Sequence, residues 1–217
     1  MNKIYIFSGL GVDKRVFKYM DFSDFDATFI EWITPEYKES IEHYAKRLTK
    51  QIQTEQPILV GLSFGGIMAI EVAKHVATEK IILIASAKTR KEIPFYYRWL
   101  GILKVHQLLP ARIMKRANLF SYWLFGIKTN EDKEILTEIL NDTDPLFLKW
   151  AINEIVNWRN RRQYENLLHI HGTSDRILPI RFAKVDVEVK CGGHFMTINK
   201  YNELSQILKR LLQSSSP

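Results

Sequence analysis

The sequence predicts an α/β protein, a mostly parallel sheet of about six strands flanked by helices and interrupted by one helical insertion. Three observations predict it. Short β-rich runs recur with helical patterns between them, as in strands joined by crossover helices. Two of these runs, residues 58–62 and 81–85, are continuously apolar, as strands buried on both faces must be. Residues 88–162 show no strand-like alternation at all, only helical stretches, so they enter the sheet as one block.

The elements follow in order. Residues 3–8 form the first strand and 27–32 a weaker second. Residues 37–52 place Ile41, Tyr44, Ala45, Leu48 and Ile52 at helical spacing, with Lys and Glu on the other side. The strand at 58–62 runs into a glycine-rich turn, and residues 67–76 behind it are helical in pattern. After the strand at 81–85, the insertion reads as helices over 94–107, 110–125, 130–141 and 145–158, the last opened by Asp144 as N-cap and Pro145 in the first turn. Strands return at 167–171 and 185–190. In the latter, Val185, Val187 and Val189 alternate with charged residues, as suits a sheet edge with one wet face. Residues 201–212 close the chain as a helix with Leu204, Ile207, Leu208 and Leu211 on one side. The expected organisation is a core of residues 1–87 and 163–217 with a helical cap, residues 88–162, between its halves.

Composition bounds the function. Hydrophobic residues make up 46% and charged residues 25% of the 217, which places the chain among ordered globular proteins, with only residues 214–217 suited to a disordered tail. The longest uncharged stretch, 57–70, is shorter than the ~18 to 20 apolar residues of a membrane span. The apolar run at 4–7 is below the ~7 to 15 residues of a signal h-region. Cys191 is the single cysteine, so no intramolecular disulfide forms, and a reducing, cytoplasmic location is expected.

The net charge of +7 is concentrated. Residues 88–128 carry nine basic residues (Lys88, Arg90, Lys91, Arg98, Lys104, Arg112, Lys115, Arg116, Lys128) against Glu92 alone, and six acidic residues follow in 129–144. Such a face suits an anionic substrate, peripheral contact with an anionic membrane surface, or solvent only. Nucleic acid is not an expected partner, since no recognised module accompanies the charge. No metal-ligand spacing occurs, and Gly9-Leu10-Gly11 lacks the third glycine of a dinucleotide fingerprint, so no cofactor is expected.

Chemistry enters at Gly61-Leu62-Ser63-Phe64-Gly65. A Gly-x-Ser-x-Gly string arises by chance in roughly one chain in ten of this length, so its context carries the argument. Here it lies between an apolar strand and a helix, where small residues two before and two after the serine permit a strained turn that lifts the hydroxyl above the sheet. A serine is a poor nucleophile unless an imidazole removes its proton and a carboxylate orients that imidazole. In hydrolases built on this turn the partners follow in the order acid, then histidine. His194, in Gly192-Gly193-His194 after the last strand, is the expected base. Of the other histidines, His43 and His75 fall on helices, His106 in the insertion, and His169 and His171 on a strand, where structural roles are expected. Asp175, in the turn-rich His171-Gly172-Thr173-Ser174-Asp175, is the expected acid. Asp186 competes from within an alternating strand, and Asp142 and Asp144 read as helix-boundary residues.

With these residues in place the chain resembles the α/β-hydrolase superfamily along nearly all of its length outside the insertion. Phe7-Ser8-Gly9-Leu10-Gly11, residues 61–65, residues 171–175 and Gly193-His194 carry the resemblance. It implies an oxyanion hole made by the N–H groups of Phe64 and Leu10, and a cap where the insertion falls. Two features depart from the pattern: Ser8-Gly9 stands where many members have His-Gly, and two N-terminal strands common in the family are absent. The expected activity is hydrolysis of an ester or thioester of a small to medium carboxylic acid, anionic or apolar, through an acyl-enzyme on Ser63. Carbon–carbon bond hydrolysis, a lyase step on the same triad, or ligand binding without turnover are the alternatives. Eleven large aromatic residues of the insertion, Trp99, Trp123 and Trp150 among them, suit either packing on the core or the walls of an acyl pocket.

Overall fold

The computed structural model describes residues 3–10, 13–108, 110 and 115–213. Gly11 of the first glycine-rich loop, Arg112 of the basic stretch and residues 214–217 lie outside these.

Six parallel strands, β1 (Ile4–Phe7), β2 (Ala27–Phe29), β3 (Ile58–Leu62), β4 (Lys80–Ile84), β5 (Leu167–Gly172) and β6 (Val187–Val189), form one sheet in the order β2-β1-β3-β4-β5-β6. Every residue of β1, β3 and β4 is buried, because helices cover both faces. The two-residue repeat sends Ile4, Ile6, Ile58, Val60, Ile82, Ile84 and Ile170 to one face, where helix α9 (Tyr201–Gln213) packs Leu204, Ile207 and Leu208. Tyr5, Phe7, Leu59, Ile81, Leu83 and Leu167 point to the other, under α1 (Ile41–Leu48) and α2 (Phe64–Val72). All nine residues of α2 are buried, including Glu71, whose carboxylate meets Lys74 Nζ at 2.7 Å and accepts the Trp158 indole N–H at 2.8 Å.

The insertion between β4 and β5 is helical: α3 (Phe95–Ile102), α4 (Val105–Leu108), α5 (Leu119–Phe125), α6 (Asn130–Asp142) and α7 (Pro145–Asn157). The helix expected over 94–107 divides because Lys104 turns left-handed, at φ 54°, where α3 ends. Asp144 caps α7 as expected, accepting from the N–H groups of Leu146 and Phe147, with Pro145 in the first turn. Ile135, Leu136 and Ile139 of α6 join one core and Phe147, Ala151 and Trp158 the other, so the insertion is anchored on both sides of the sheet. Of the helix expected over 110–125, residues 111–114 lie outside those described and 115–118 are not helical, so it begins at Leu119 behind Asn118 as N-cap; the remaining differences are at element ends. The first crossover helix begins at Ile41, behind Ser40 as N-cap, and α2 starts earlier than its apolar pattern, directly after Ser63.

Candidate active site

The parallel crossovers bring the C-terminal ends of β3, β5 and β6 to one edge of the sheet, where clefts form in open α/β sheets. Ser63 follows β3, Asp175 follows β5 and His194 follows β6.

Ser63 sits at φ 53° and ψ −120°, a conformation an L-residue holds only when its surroundings impose it. The surroundings are glycines: a Cβ on Gly65 would lie 2.2 Å from the Ser8 carbonyl oxygen and 2.3 Å from that of Phe7, and one on Gly61 would lie 2.4 Å from the Gly65 oxygen. The turn is therefore pressed against the end of β1, beside the loop carrying Leu10. At the first position of α2, the Phe64 N–H has no helical acceptor and faces the N-terminal end of the helix dipole, where negative charge is favoured.

His194 Nε2 lies 2.8 Å from Ser63 Oγ, and His194 Nδ1 lies 2.8 Å from Asp175 Oδ2. Asp175 Oδ1 accepts from the N–H groups of Ile177 and Leu178, both at 2.9 Å. Asp175 and His194 are buried at 4% and 6% exposure, while Ser63 is partly open. Burial alone would raise the Asp175 carboxyl. The positive field of His194 and hydrogen bonds from His171 and His194 outweigh it, and hold the group well below the usual carboxylate range. The competing acids are engaged elsewhere: Asp186 Oδ2 takes Lys88 Nζ and the His169 N–H, and Asp142 meets Arg15 at 2.8 Å.

Helix α5 closes over both loops. The Phe125 ring stands edge-on to His194 at 5.9 Å, and the Phe125 carbonyl accepts from the Phe195 N–H at 3.2 Å. The Arg176 guanidinium lies 4.6 Å from the Trp123 ring centre and donates to the Trp123 carbonyl. Phe147, Trp150 and Trp158 pack inward, Phe147 and Trp150 onto Phe64, whereas Phe95, Trp99, Phe120 and Trp123 are exposed. An open groove of about 900 Å³ on the insertion is lined by Lys115, Arg116, Thr137, Asn141 and Lys149, among others, and by none of Ser63, Asp175 and His194.

Glu36, Glu39 and His43 bring three potential metal-ligand atoms within 4.8 Å, but Arg47 already meets Glu39 at 2.8 Å. Two residues that sequence reasoning set aside as structural, His169 and His171, lie directly behind Asp175. Their signal is the run Leu167-Leu168-His169-Ile170-His171, which puts two imidazoles on one face of a central strand.

No protein-family model matches the chain, and no curated protein sequence does. Solved structures do. A thermophilic esterase from Thermogutta terrifontis, with malate bound, matches at TM-score 0.71 and 16% identity, over 98% of this chain and 90% of its own. A bromoperoxidase from Bacillus anthracis matches at TM-score 0.68 and 14% identity, over 98% and 92%. An enol-lactonase from Burkholderia xenovorans LB400 matches at TM-score 0.66 and 15% identity, over 98% and 92%. The chain has the α/β-hydrolase fold, which it shares with esterases and lipases. Among the described residues no helix is long and apolar enough to cross a membrane.

Proposed function

We propose that this protein is a serine hydrolase that cleaves an ester or thioester of a small to medium carboxylic acid, with Ser63 as nucleophile, His194 as general base and Asp175 as the orienting acid. One observation carries the reading: a single imidazole bridges the hydroxyl of a strained Ser63 and a buried carboxylate, at 2.8 Å on each side. In the proposed reaction Ser63 Oγ attacks the carbonyl carbon as its proton passes to His194 Nε2, and the N–H groups of Phe64 and Leu10 hold the oxyanion. The intermediate collapses as His194 returns the proton to the departing alcohol or thiol. Water then repeats the sequence on the acyl-enzyme, releasing the acid and restoring the serine.

Residues 88–162 act as a cap on a core of residues 1–87 and 163–217, in keeping with α5 resting on the loops of Asp175 and His194. The cap's basic residues attract an anionic substrate, and its exposed Trp99, Phe120 and Trp123 offer an apolar contact to an acyl chain or an anionic membrane surface. Cys191 is free and exposed, which suits a reducing, cytoplasmic setting.

A fluorophosphonate probe tests the reading, since only an activated serine reacts at neutral pH. We expect stoichiometric labelling of Ser63, abolished in Ser63→Ala. Well-folded protein that does not label would instead be a ligand-binding member of the fold. A labelled protein inactive on p-nitrophenyl esters of every chain length would point to carbon–carbon bond cleavage or a lyase step.

A further inference from the structure

His169 and His171 occupy alternate positions of β5, on the sheet face that elsewhere holds Tyr5, Phe7, Leu59, Ile81, Leu83 and Leu167. Both are completely buried. An apolar side chain would satisfy either position, whereas a buried imidazole must find partners for two nitrogens.

The partners of His171 are the surroundings of Asp175. His171 Nε2 lies 2.7 Å from the Leu178 carbonyl oxygen and 3.4 Å from Asp175 Oδ2, while the Leu178 N–H donates to Asp175 Oδ1. Two acceptors facing Nε2 place the ring proton there. His169 Nε2 lies 3.0 Å from His171 Nδ1 and also takes the Ser86 N–H at 3.4 Å. His169 is held neutral, because burial above all pushes its pKa down to about 2. His169 Nδ1 has no hydrogen-bond partner among the described residues.

We infer that His171 is a positioning residue for Asp175. The inference rests on the proposed triad. His171 acts in two ways: it fastens Leu178 through its carbonyl, and so steadies the residue whose N–H holds Oδ1, and its Nε2–H field offsets negative charge on Oδ2, the oxygen that His194 uses. Without it the carboxylate loosens and presents more charge to the His194 ring, favouring the protonated base. The other titratable groups around the pair are Lys88, Arg176, Tyr96 and Tyr97. Lys88 is paired with Asp186 at 2.9 Å, and Arg176 is bound to the Trp123 carbonyl. Burial, then the charges of Tyr96 and Asp175, push Tyr97 up to about 12, and burial also raises Tyr96.

The test compares His171→Gln, whose amide reaches the Nε2 position, with His171→Asn and His171→Leu, which do not, using p-nitrophenyl acetate from pH 5 to 9 by choice of buffer. We expect His171→Asn and His171→Leu to lower kcat about tenfold with KM unchanged, the scale of a lost hydrogen bond at a charged group. Their acidic limb of kcat/KM should move to higher pH, and His171→Gln should restore both values. Wild-type kinetics in the Asn variant, or a fall in rate in all variants with the limb unmoved, would overturn the inference. If the Leu variant does not fold, the Gln and Asn pair decides. Nitrogen-15 spectra of histidine-labelled wild-type protein read the same feature without turnover: His171 protonated at Nδ1 instead of Nε2 overturns it. Failure of the wild type to label with fluorophosphonate would refute the triad, and the spectra would still report on His171.

Discussion

Ser86 donates its hydroxyl proton to the main-chain carbonyl of Ser63 at 2.7 Å, and so ties the end of β4 to the one residue on which the site turns. The Ser63 N–H in turn donates to the Ile84 carbonyl at 2.9 Å, and the Ser63 carbonyl also accepts from the Gly66 N–H. A left-handed serine is thus held from both of its peptide groups. Ser86→Ala leaves the carbonyl the N–H groups of Gly66, at 2.9 Å, and Ile67, at 3.4 Å, so denaturant melts should show a loss of only about 1 kcal/mol. Gly65→Ala, by contrast, forces a methyl group into two main-chain oxygens of β1, and soluble expression should fail.

Unequal losses are expected within the triad. Ser63→Ala and His194→Ala should each remove nearly all turnover, while Asp175→Asn should cost on the order of 10⁴-fold by the triad precedent. Asp186→Asn and Asp142→Asn should keep the wild-type rate. Steady-state kinetics on a p-nitrophenyl ester check this, and a wild-type rate in Asp175→Asn would remove the acid assignment.

Acid should destabilise the fold in a defined window. His169 has a folded pKa of about 2 against an ordinary 6.5, so the unfolded chain binds a proton that the native protein refuses. The stability is fully present above pH 6.5 and is lost as pH falls toward 2. Asp175, also depressed, adds to the loss below its ordinary 3.8. The melting temperature should therefore fall from about pH 6.5 downward. His169→Gln, which keeps a polar side chain but does not titrate, should flatten that fall between pH 6.5 and 4, and an unchanged slope would show that other groups govern it.

Salt separates the readings of the basic cap. Exposed charges act over about a Debye length, ~10 Å at 0.1 M salt, so an anionic ester should lose kcat/KM between low and moderate salt while a neutral ester of equal acyl length should not. Lys115 and Arg116 border the open groove of the insertion, and reversing both to Glu, together with Arg112, should abolish the difference. Equal salt dependence for both esters would leave the charge as a solvated face. Sedimentation with anionic but not neutral liposomes would show a membrane-docking surface instead.

Much of this was legible in one dimension. Continuous apolar runs mark β3 and β4 because a strand buried on both faces needs no polar side, and the valine alternation of β6 marks an edge strand with one wet face. The turn at Ser63 was legible because Gly-x-Ser-x-Gly falls between an apolar strand and a helix, but the oxygens that exclude a Cβ at Gly65 belong to Phe7 and Ser8, far off in the chain. The break at Lys104 was not, since the helical pattern runs through it and only the packing of α3 and α4 on α7 stops the helix.

The sequence by itself determined the order of strands and helices and the place of the turn at Ser63, because these depend on side-chain period and on residues adjacent in the chain. Asp175 was already the expected acid from its turn-rich place after β5, and tertiary structure added the distance and partners that separate it from Asp186 and Asp142. Tertiary structure also decided what His171 does. A histidine on a strand reads as core until the loop after that strand folds back and sets both the Leu178 carbonyl and the Asp175 carboxylate against one nitrogen. Hydrogen bonds act over about 3 Å, and closeness on that scale between distant residues is a property of the packed chain.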